Sequence, residues 1–217
     1  MDATEFREAV EAEKRTQLDR LGSNKLLVAL TDAELDAETV LRAAANSEFA
    51  ATNTFEAWAD DEADDDAREA FAAVADQERD HYERVLDSLS ALDGFDADAF
   101  EPADGGPMHM YLRGQEDTLG RVGGGLVGRG LVSIRTHTQI IGFFVNEPDE
   151  RRADLFRDLK TETGEEVDRG LDLLDSRCET DADWERARGA AEYTIQVAYD
   201  DYEDALTGLG IDPRPIC

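Results

Sequence analysis

Apolar residues recur at intervals of three and four along nearly the whole chain, which is the spacing of one face of an α-helix. The five prolines lie at positions 102, 107, 148, 213 and 215, outside the strongest periodic segments, and an interior proline would break a helix. With 217 residues, 41% of them hydrophobic, the chain is long enough to bury a substantial core. The pattern predicts an all-α protein.

The periodicity predicts a short leader helix and then a pair of long helices. The leader covers residues 6–21. The first long helix follows a capping-box pattern at Thr31–Glu34 and continues to the acidic run 60–66, and the second extends from about Ala67 to Leu92. Because the acidic run between them is short, the two helices are expected to form an antiparallel hairpin.

Two further long helices and a last one are predicted in the second half. Residues 94–107 have turn composition and are long enough to cross a bundle. A glycine-rich stretch at 120–130 leads into the third long helix, Pro148 lies near the first turn of the fourth, and a last helix is capped at Thr180–Asp183 and ends near Gly208.

These elements predict one domain, a four-helix bundle in which a long crossover joins two hairpins. Residues 1–30 form an N-terminal helical extension, 31–177 form the four-helix core, and 178–217 form the C-terminal helix and tail. The interior of such a bundle can hold a cofactor or a metal between facing helices.

Carboxylates dominate the charge of the chain. There are 52 Asp and Glu residues against 22 Lys and Arg, which gives a formal net charge of −30. Salt relieves the resulting repulsion, since the Debye length falls to about 3 Å at 1 M. The composition favours the salt-rich cytoplasm of a halophile and metal cations as partners, and it disfavours nucleic acid and anionic membranes.

Neither targeting signals nor cysteine motifs stand out. The acidic N-terminus does not resemble an export signal, and no run of about 18 apolar residues indicates a membrane span. Cys178 and Cys217 form no metal-binding spacing, and a cysteine at the last position is not a prenylation motif, so both are expected to be ordinary thiols.

Three polar residues lie on the apolar stripes of the first hairpin. Glu48 occupies a position where Leu would be usual, and Glu78 and His81 are three residues apart, on one face of the second helix. A buried, unpaired carboxylate would be destabilising by several kcal/mol, so Glu48 needs a cation, a set of hydrogen-bond donors or a proton.

A carboxylate on one helix with Glu-x-x-His on its partner is half of the dinuclear site of ferritin-like bundles. Through SEFAATNTFEAWAD at 47–60 and ADQERDHYERVLDSL at 75–89, the chain resembles the ferritin-like superfamily in its rubrerythrin-like branch. The resemblance implies two Fe or Mn ions bridged by carboxylates, and oxygen or peroxide chemistry. The chain has no cysteine-rich iron domain, so a separate electron donor would be required.

The second hairpin departs from that pattern. Alignment of the third helix on the first places His137 opposite Glu48, and the fourth helix contains no histidine. On the apolar stripe of the fourth helix, Glu162 takes the position that Glu78 has on the second helix. Glu165 or Glu166 takes the position of His81. The predicted metal ligands are Glu48, Glu78, His81, His137, Glu162 and Glu165.

Several alternatives stay open. Glu192 in the last helix repeats the spacing of the first and is a further candidate ligand. Glu48 and His137 can equally be buried groups satisfied by hydrogen bonds, and His109 is expected to be structural or exposed. The glycines at 120, 124 and 128 would let the third helix approach another helix or a second copy, which favours a homodimer.

Two functions therefore follow from the sequence. The first is a rubrerythrin-like or ferritin-like protein with a dinuclear Fe or Mn site, in which Glu78 and Glu162 bridge the metals. The second is a metal-free bundle that has lost the site and serves as an interaction or regulatory module.

Overall fold

The computed structural model describes residues 1–214, and its elements there are helical. Cys217, which the sequence predicts to be an ordinary thiol, lies outside the described residues. The α-helices of the first half are α1 (Ala3–Glu13), α2 (Arg15–Leu21), α3 (Lys25–Leu30), α4 (Ala37–Asp61), α5 (Asp65–Ser90) and α6 (Pro107–Arg113). Those of the second half are α7 (Thr118–Arg121), α8 (Gly130–Asn146), α9 (Glu150–Arg177) and α10 (Asp181–Gly208), with a π-helical segment, Val122–Arg129, joining α7 to α8.

The all-α prediction is confirmed, and most helix ends lie near their predicted positions. Thr180 caps α10 through a reciprocal capping box with Asp183, as its spacing indicates. The start of α4 differs from the prediction: Asp36, not Thr31, is its N-cap and accepts a hydrogen bond from the backbone N–H of Thr39. The Thr31 hydroxyl instead donates to Leu27 O at the end of α3. The leader predicted over residues 6–21 is two helices, α1 and α2, rather than one.

The long helices pack as neighbours along the chain. Helix α4 packs along α5, α8 packs along α9, and α5 also contacts α9. Helix α10 packs against the π-helical segment and contacts the three N-terminal helices. Within residues 1–214, no helix is both long enough and apolar enough to cross a lipid bilayer.

The π-helical segment approaches α10 closely because it contains glycines. A Cβ on Gly123 would lie 2.2 Å from the carbonyl oxygen of Ala187, and a Cβ on Gly128 would lie 2.8 Å from that of Ala191. The glycine-rich stretch therefore serves a contact between two helices of the same chain. The predicted homodimer draws no support from these glycines, whose close neighbours are within the chain.

The apolar core divides into two clusters. Phe55 of α4 and Phe71 of α5 belong to the larger cluster, which also includes residues of α1, α2 and α10. Leu41 of α4 and Leu89 of α5 belong to the second cluster, together with parts of α8 and α9. Helices α4, α5, α8 and α9 each contribute to both clusters, and buried polar residues lie between the two sets near the middle of these helices.

Candidate metal centre

Six polar side chains form a layer between the two apolar clusters. This polar layer consists of Glu48, Glu78, His81, Arg129, His137 and Glu166, all of them buried. They come from α4, α5, the π-helical segment, α8 and α9, so several distant parts of the sequence contribute to one site. Burial of this many ionisable groups is unfavourable unless the charges are balanced within the layer.

Glu48, Glu78 and His81 lie close together, as their spacing on the first hairpin predicts. One donor atom from each lies within 4.8 Å of the other two. His81 Nδ1 is 3.7 Å from Glu78 Oε2 and 3.9 Å from Glu48 Oε2. Two donors that each bind a metal at about 2.0–2.2 Å are at most about 4.4 Å apart, so these separations suit one shared cation.

Several donor atoms at this position have no hydrogen-bond partner. Among the described residues, Glu78 Oε2 and His81 Nδ1 have no hydrogen-bond partner, whereas Glu78 Oε1 lies 2.8 Å from an Arg129 guanidinium nitrogen. Buried polar atoms normally have hydrogen-bond partners, and binding of an ion is one recognised reason for an exception. The donor set therefore fits a divalent cation bound by oxygen and nitrogen ligands.

Glu162 lies behind His81. Its Oε2 is 2.7 Å from His81 Nε2, the ring nitrogen that faces away from Glu48 and Glu78, and 2.8 Å from an Arg84 guanidinium nitrogen. A metal-binding histidine commonly donates its second ring N–H to a carboxylate, which fixes the orientation of the ring. The structure thus places Glu162 as a partner of His81 and not at the bridging position that the sequence predicted.

His137 and Glu48 are in contact. His137 Nε2 is 3.1 Å from Glu48 Oε1, and the ring of His137 lies 5.9 Å from that of Phe156. Burial lowers the pKa of His137 to about 3, and burial together with the nearby Glu78 carboxylate raises the pKa of Glu48 well above its usual value. Burial therefore disfavours the charged form of both members of this pair.

Glu165 is exposed, whereas Glu166 is fully buried. Consecutive residues on a helix point about 100° apart, so only one of the two can face the layer. Glu166 accepts hydrogen bonds from Gln77 at 2.6 Å and from Arg129 at 2.5 Å. The alternative candidate Glu192 forms a hydrogen bond with Arg188, one turn away in α10, and is not part of the layer.

Arg129 is the residue of the layer that the sequence analysis missed. Its side chain is 1% exposed, and its Nη2 lies 2.8 Å from Glu78 Oε1 and 2.5 Å from Glu166 Oε2. Burial alone would raise the pKa of Glu78, but the Arg129 charge lowers that pKa well below its usual value. The available signal was an isolated arginine within a glycine-rich and apolar stretch, since a buried guanidinium needs carboxylate partners.

The guanidinium of Arg129 bridges Glu78 and Glu166, where the predicted dinuclear site needs its second metal. A guanidinium and a metal ion cannot occupy the same position between these carboxylates. The donor set fits one cation at Glu48, Glu78 and His81, and it does not fit two while Arg129 keeps this conformation.

Comparison of the chain with protein-family models, with curated protein sequences and with solved structures found no match in any of the three. The ferritin-like resemblance therefore rests on the residues quoted above, and the function rests on the geometry of the polar layer.

His109 lies in α6 and not in a loop. It is buried, and its Nδ1 is 3.1 Å from the Thr54 hydroxyl, which agrees with a structural role. Burial and the nearby Arg129 charge lower the pKa of His109 to about 3.

We expect this histidine to make folding depend on pH. The unfolded chain binds a proton at His109 below a pH of about 6.5, whereas the folded chain does not do so until about pH 3. The stabilisation is therefore present above pH 6.5 and is lost as the pH falls. Between about pH 7 and pH 5 the His109→Gln variant should lose about 2 kcal/mol less unfolding free energy than the native chain. Urea unfolding in molar KCl measures this difference, and identical losses would contradict it.

Proposed function

We propose that the protein binds one divalent metal ion through Glu48, Glu78 and His81, in a ferritin-like four-helix arrangement. The observation that carries the proposal is the convergence of three buried donor groups within 4.8 Å, with Oε2 of Glu78 and Nδ1 of His81 lacking hydrogen bonds. Oxygen and imidazole ligands favour Fe or Mn over metals that prefer thiolate.

The contacts of α4 with α5 and of α8 with α9 support the bundle topology of the proposal. The segment between Ser90 and Pro107 would be the crossover that joins the two hairpins. Helices α1 to α3 and α10 would then be additions to the four-helix core. The homodimer and the cytoplasmic location stay predictions.

The residues around the metal position have distinct roles in this proposal. His81 would bind through Nδ1 while Glu162 holds its other nitrogen. Glu48, whose pKa is raised by burial, would bind the cation as a carboxylate beside His137. Arg129 balances the charge of Glu78 and Glu166, so a divalent ion meets a site whose acidic charge is already reduced.

A bound Fe or Mn ion would supply the oxygen or peroxide chemistry that the ferritin-like resemblance implies, with a reductant delivered by another protein. The chain's own residues would orient His81 and exclude water through the apolar clusters on both sides of the layer.

A second function, the metal-free bundle, is favoured by Arg129 itself. A permanent guanidinium already neutralises part of the buried carboxylate charge, and the raised pKa of Glu48 favours its uncharged form. In that state the polar layer would fix the register of the helices, and the protein would act through its surface.

Metal analysis separates the two functions. The full chain, purified in molar KCl without chelators or a histidine tag, is loaded anaerobically with Fe(II) or with Mn(II) and then dialysed against a weak chelator. We expect about one metal ion per chain, and the Glu48→Gln and His81→Gln variants should bind at least about tenfold more weakly. The matched control is Glu83→Gln, which changes an exposed carboxylate of α5.

Each other outcome has a definite meaning. Metal retained equally by all variants would indicate adventitious binding to surface carboxylates and contradict the proposed site. Two ions per chain, both lost in the variants, would support the dinuclear site and contradict the place assigned to Arg129. No bound metal in a chain that circular dichroism shows to be folded would favour the metal-free bundle.

A further inference from the structure

A cavity of about 400 Å³ lies beside the polar layer and takes no part in it. Its walls come from α2, α3, α4, the crossover, α6, α8 and α10. Ser47 and Thr136 line it and directly precede Glu48 and His137, so the cavity is one helical position away from the layer on two helices. Small-molecule sites in proteins commonly enclose about 300–1,000 Å³, and this cavity falls within that range.

The walls are mainly apolar and held by close contacts. Leucine, alanine, valine and methionine side chains of six helices supply most of the surface. Gly105 in the crossover has a φ of +74°, and a Cβ there would lie 2.7 Å from Ala50 Cβ and 2.8 Å from His109 Cβ. The crossover therefore lies tightly on α4 and α6 at this wall, which favours a preformed cavity.

The charge of the cavity selects among ligands. Its lining among the described residues contains no lysine or arginine, and the pKa of His109 is too low for a positive charge at neutral pH. Asp201 of α10 is the acidic residue of the lining, is exposed at the cavity, and has no hydrogen bond or ion pair with the described residues. A carboxylate or phosphate ligand would find no counterion here, whereas a cation would find Asp201.

We propose that this cavity binds a small amphipathic amine, with its apolar body between α3, α4 and α10 and its ammonium group at Asp201. The free hydroxyl of Ser133 and the hydroxyl of Ser47 are further hydrogen-bonding groups on the wall. The proposal does not depend on a bound metal, so its test is run with a chelator present.

The test uses N-phenyl-1-naphthylamine, an uncharged probe whose fluorescence rises in an apolar site. Binding to the full chain is measured in molar KCl, where non-specific attraction of cations to the acidic surface is screened. The expected result is saturable binding of one probe per chain. Ala43→Phe, which fills the cavity from α4, should weaken it at least about tenfold, and Ala57→Phe, at an exposed position of the same helix, should leave it unchanged.

Competition then tests the charge of the ligand. Octylamine should displace the probe at a concentration at least about tenfold lower than octanol or octanoate, and Asp201→Asn should remove this preference without changing probe affinity. Asp200→Asn, at an exposed position next in sequence, is the control. Probe binding that is absent or unaffected by Ala43→Phe, equal displacement by octanol, or stronger displacement by octanoate would each overturn the proposal.

Discussion

The Arg129→Met variant is expected to lose about 3–5 kcal/mol of unfolding free energy, the largest effect of any single substitution in the polar layer. The substitution removes the guanidinium that lies within 2.8 Å of both Glu78 and Glu166 and leaves two buried carboxylates without their cation. Methionine has a similar apolar length, so the loss reports the charge and its hydrogen bonds more than a cavity. Urea unfolding in molar KCl, followed by circular dichroism, measures the difference.

Two companion variants define what the loss means. Arg79→Met removes an ion pair between α5 and Glu56 of α4 at the surface and should change the unfolding free energy by no more than about 1 kcal/mol. Adding Glu166→Gln to Arg129→Met should recover part of the loss, because one of the uncompensated charges is removed. A loss for Arg129→Met no larger than for Arg79→Met would contradict a charge-balancing role.

The Gly123→Ala variant is expected to lose about 3 kcal/mol of unfolding free energy. The new methyl group would lie 2.2 Å from the carbonyl oxygen and 2.9 Å from the Cα of Ala187, both of them backbone atoms of α10. A backbone cannot rotate away as a flexible side chain can, so α10 or the π-helical segment must move. Urea unfolding in molar KCl measures the loss.

Gly142→Ala is the matched control for this prediction. It lies in α8, where a Cβ would meet nothing within 4 Å. Alanine is favoured over glycine inside a helix by about 1 kcal/mol, so this variant should be slightly more stable than the native chain. If both variants change stability in the same direction, steric contact with α10 is not the reason for the glycine at position 123.

The helices were predictable because their signals are local. Apolar spacing, the acidic turn between α4 and α5, and the capping box at Thr180 each act over a few residues. The start of α4 was misplaced because Thr31 and Asp36 both offer a capping oxygen, and only the end of α3 decides which one is used. The π-helical segment could not be predicted because no local sequence pattern marks it. Its extra residue per turn is accommodated by packing against α10.

The candidate site was predictable only in part. Glu48, Glu78 and His81 share one hairpin, so their spacing along two adjacent helices fixes their level. The choice between Glu165 and Glu166 depends on the rotation of α9 about its axis. The apolar pattern of the sequence defines the buried face of α9 only to within about one residue. That rotation is set by contacts with α5 and the π-helical segment.

The sequence by itself determined that the chain is helical, strongly acidic, and built with a carboxylate and a Glu-x-x-His pair on apolar stripes. The tertiary structure decided what those polar residues meet. In the folded chain, Arg129 of the glycine-rich segment contacts Glu78 and Glu166. Glu162 contacts the far ring nitrogen of His81, and the apolar core is divided into two clusters on either side of the layer. The physical reason is that periodicity specifies which face of a helix is buried, whereas charge balance inside a core depends on which faces come together.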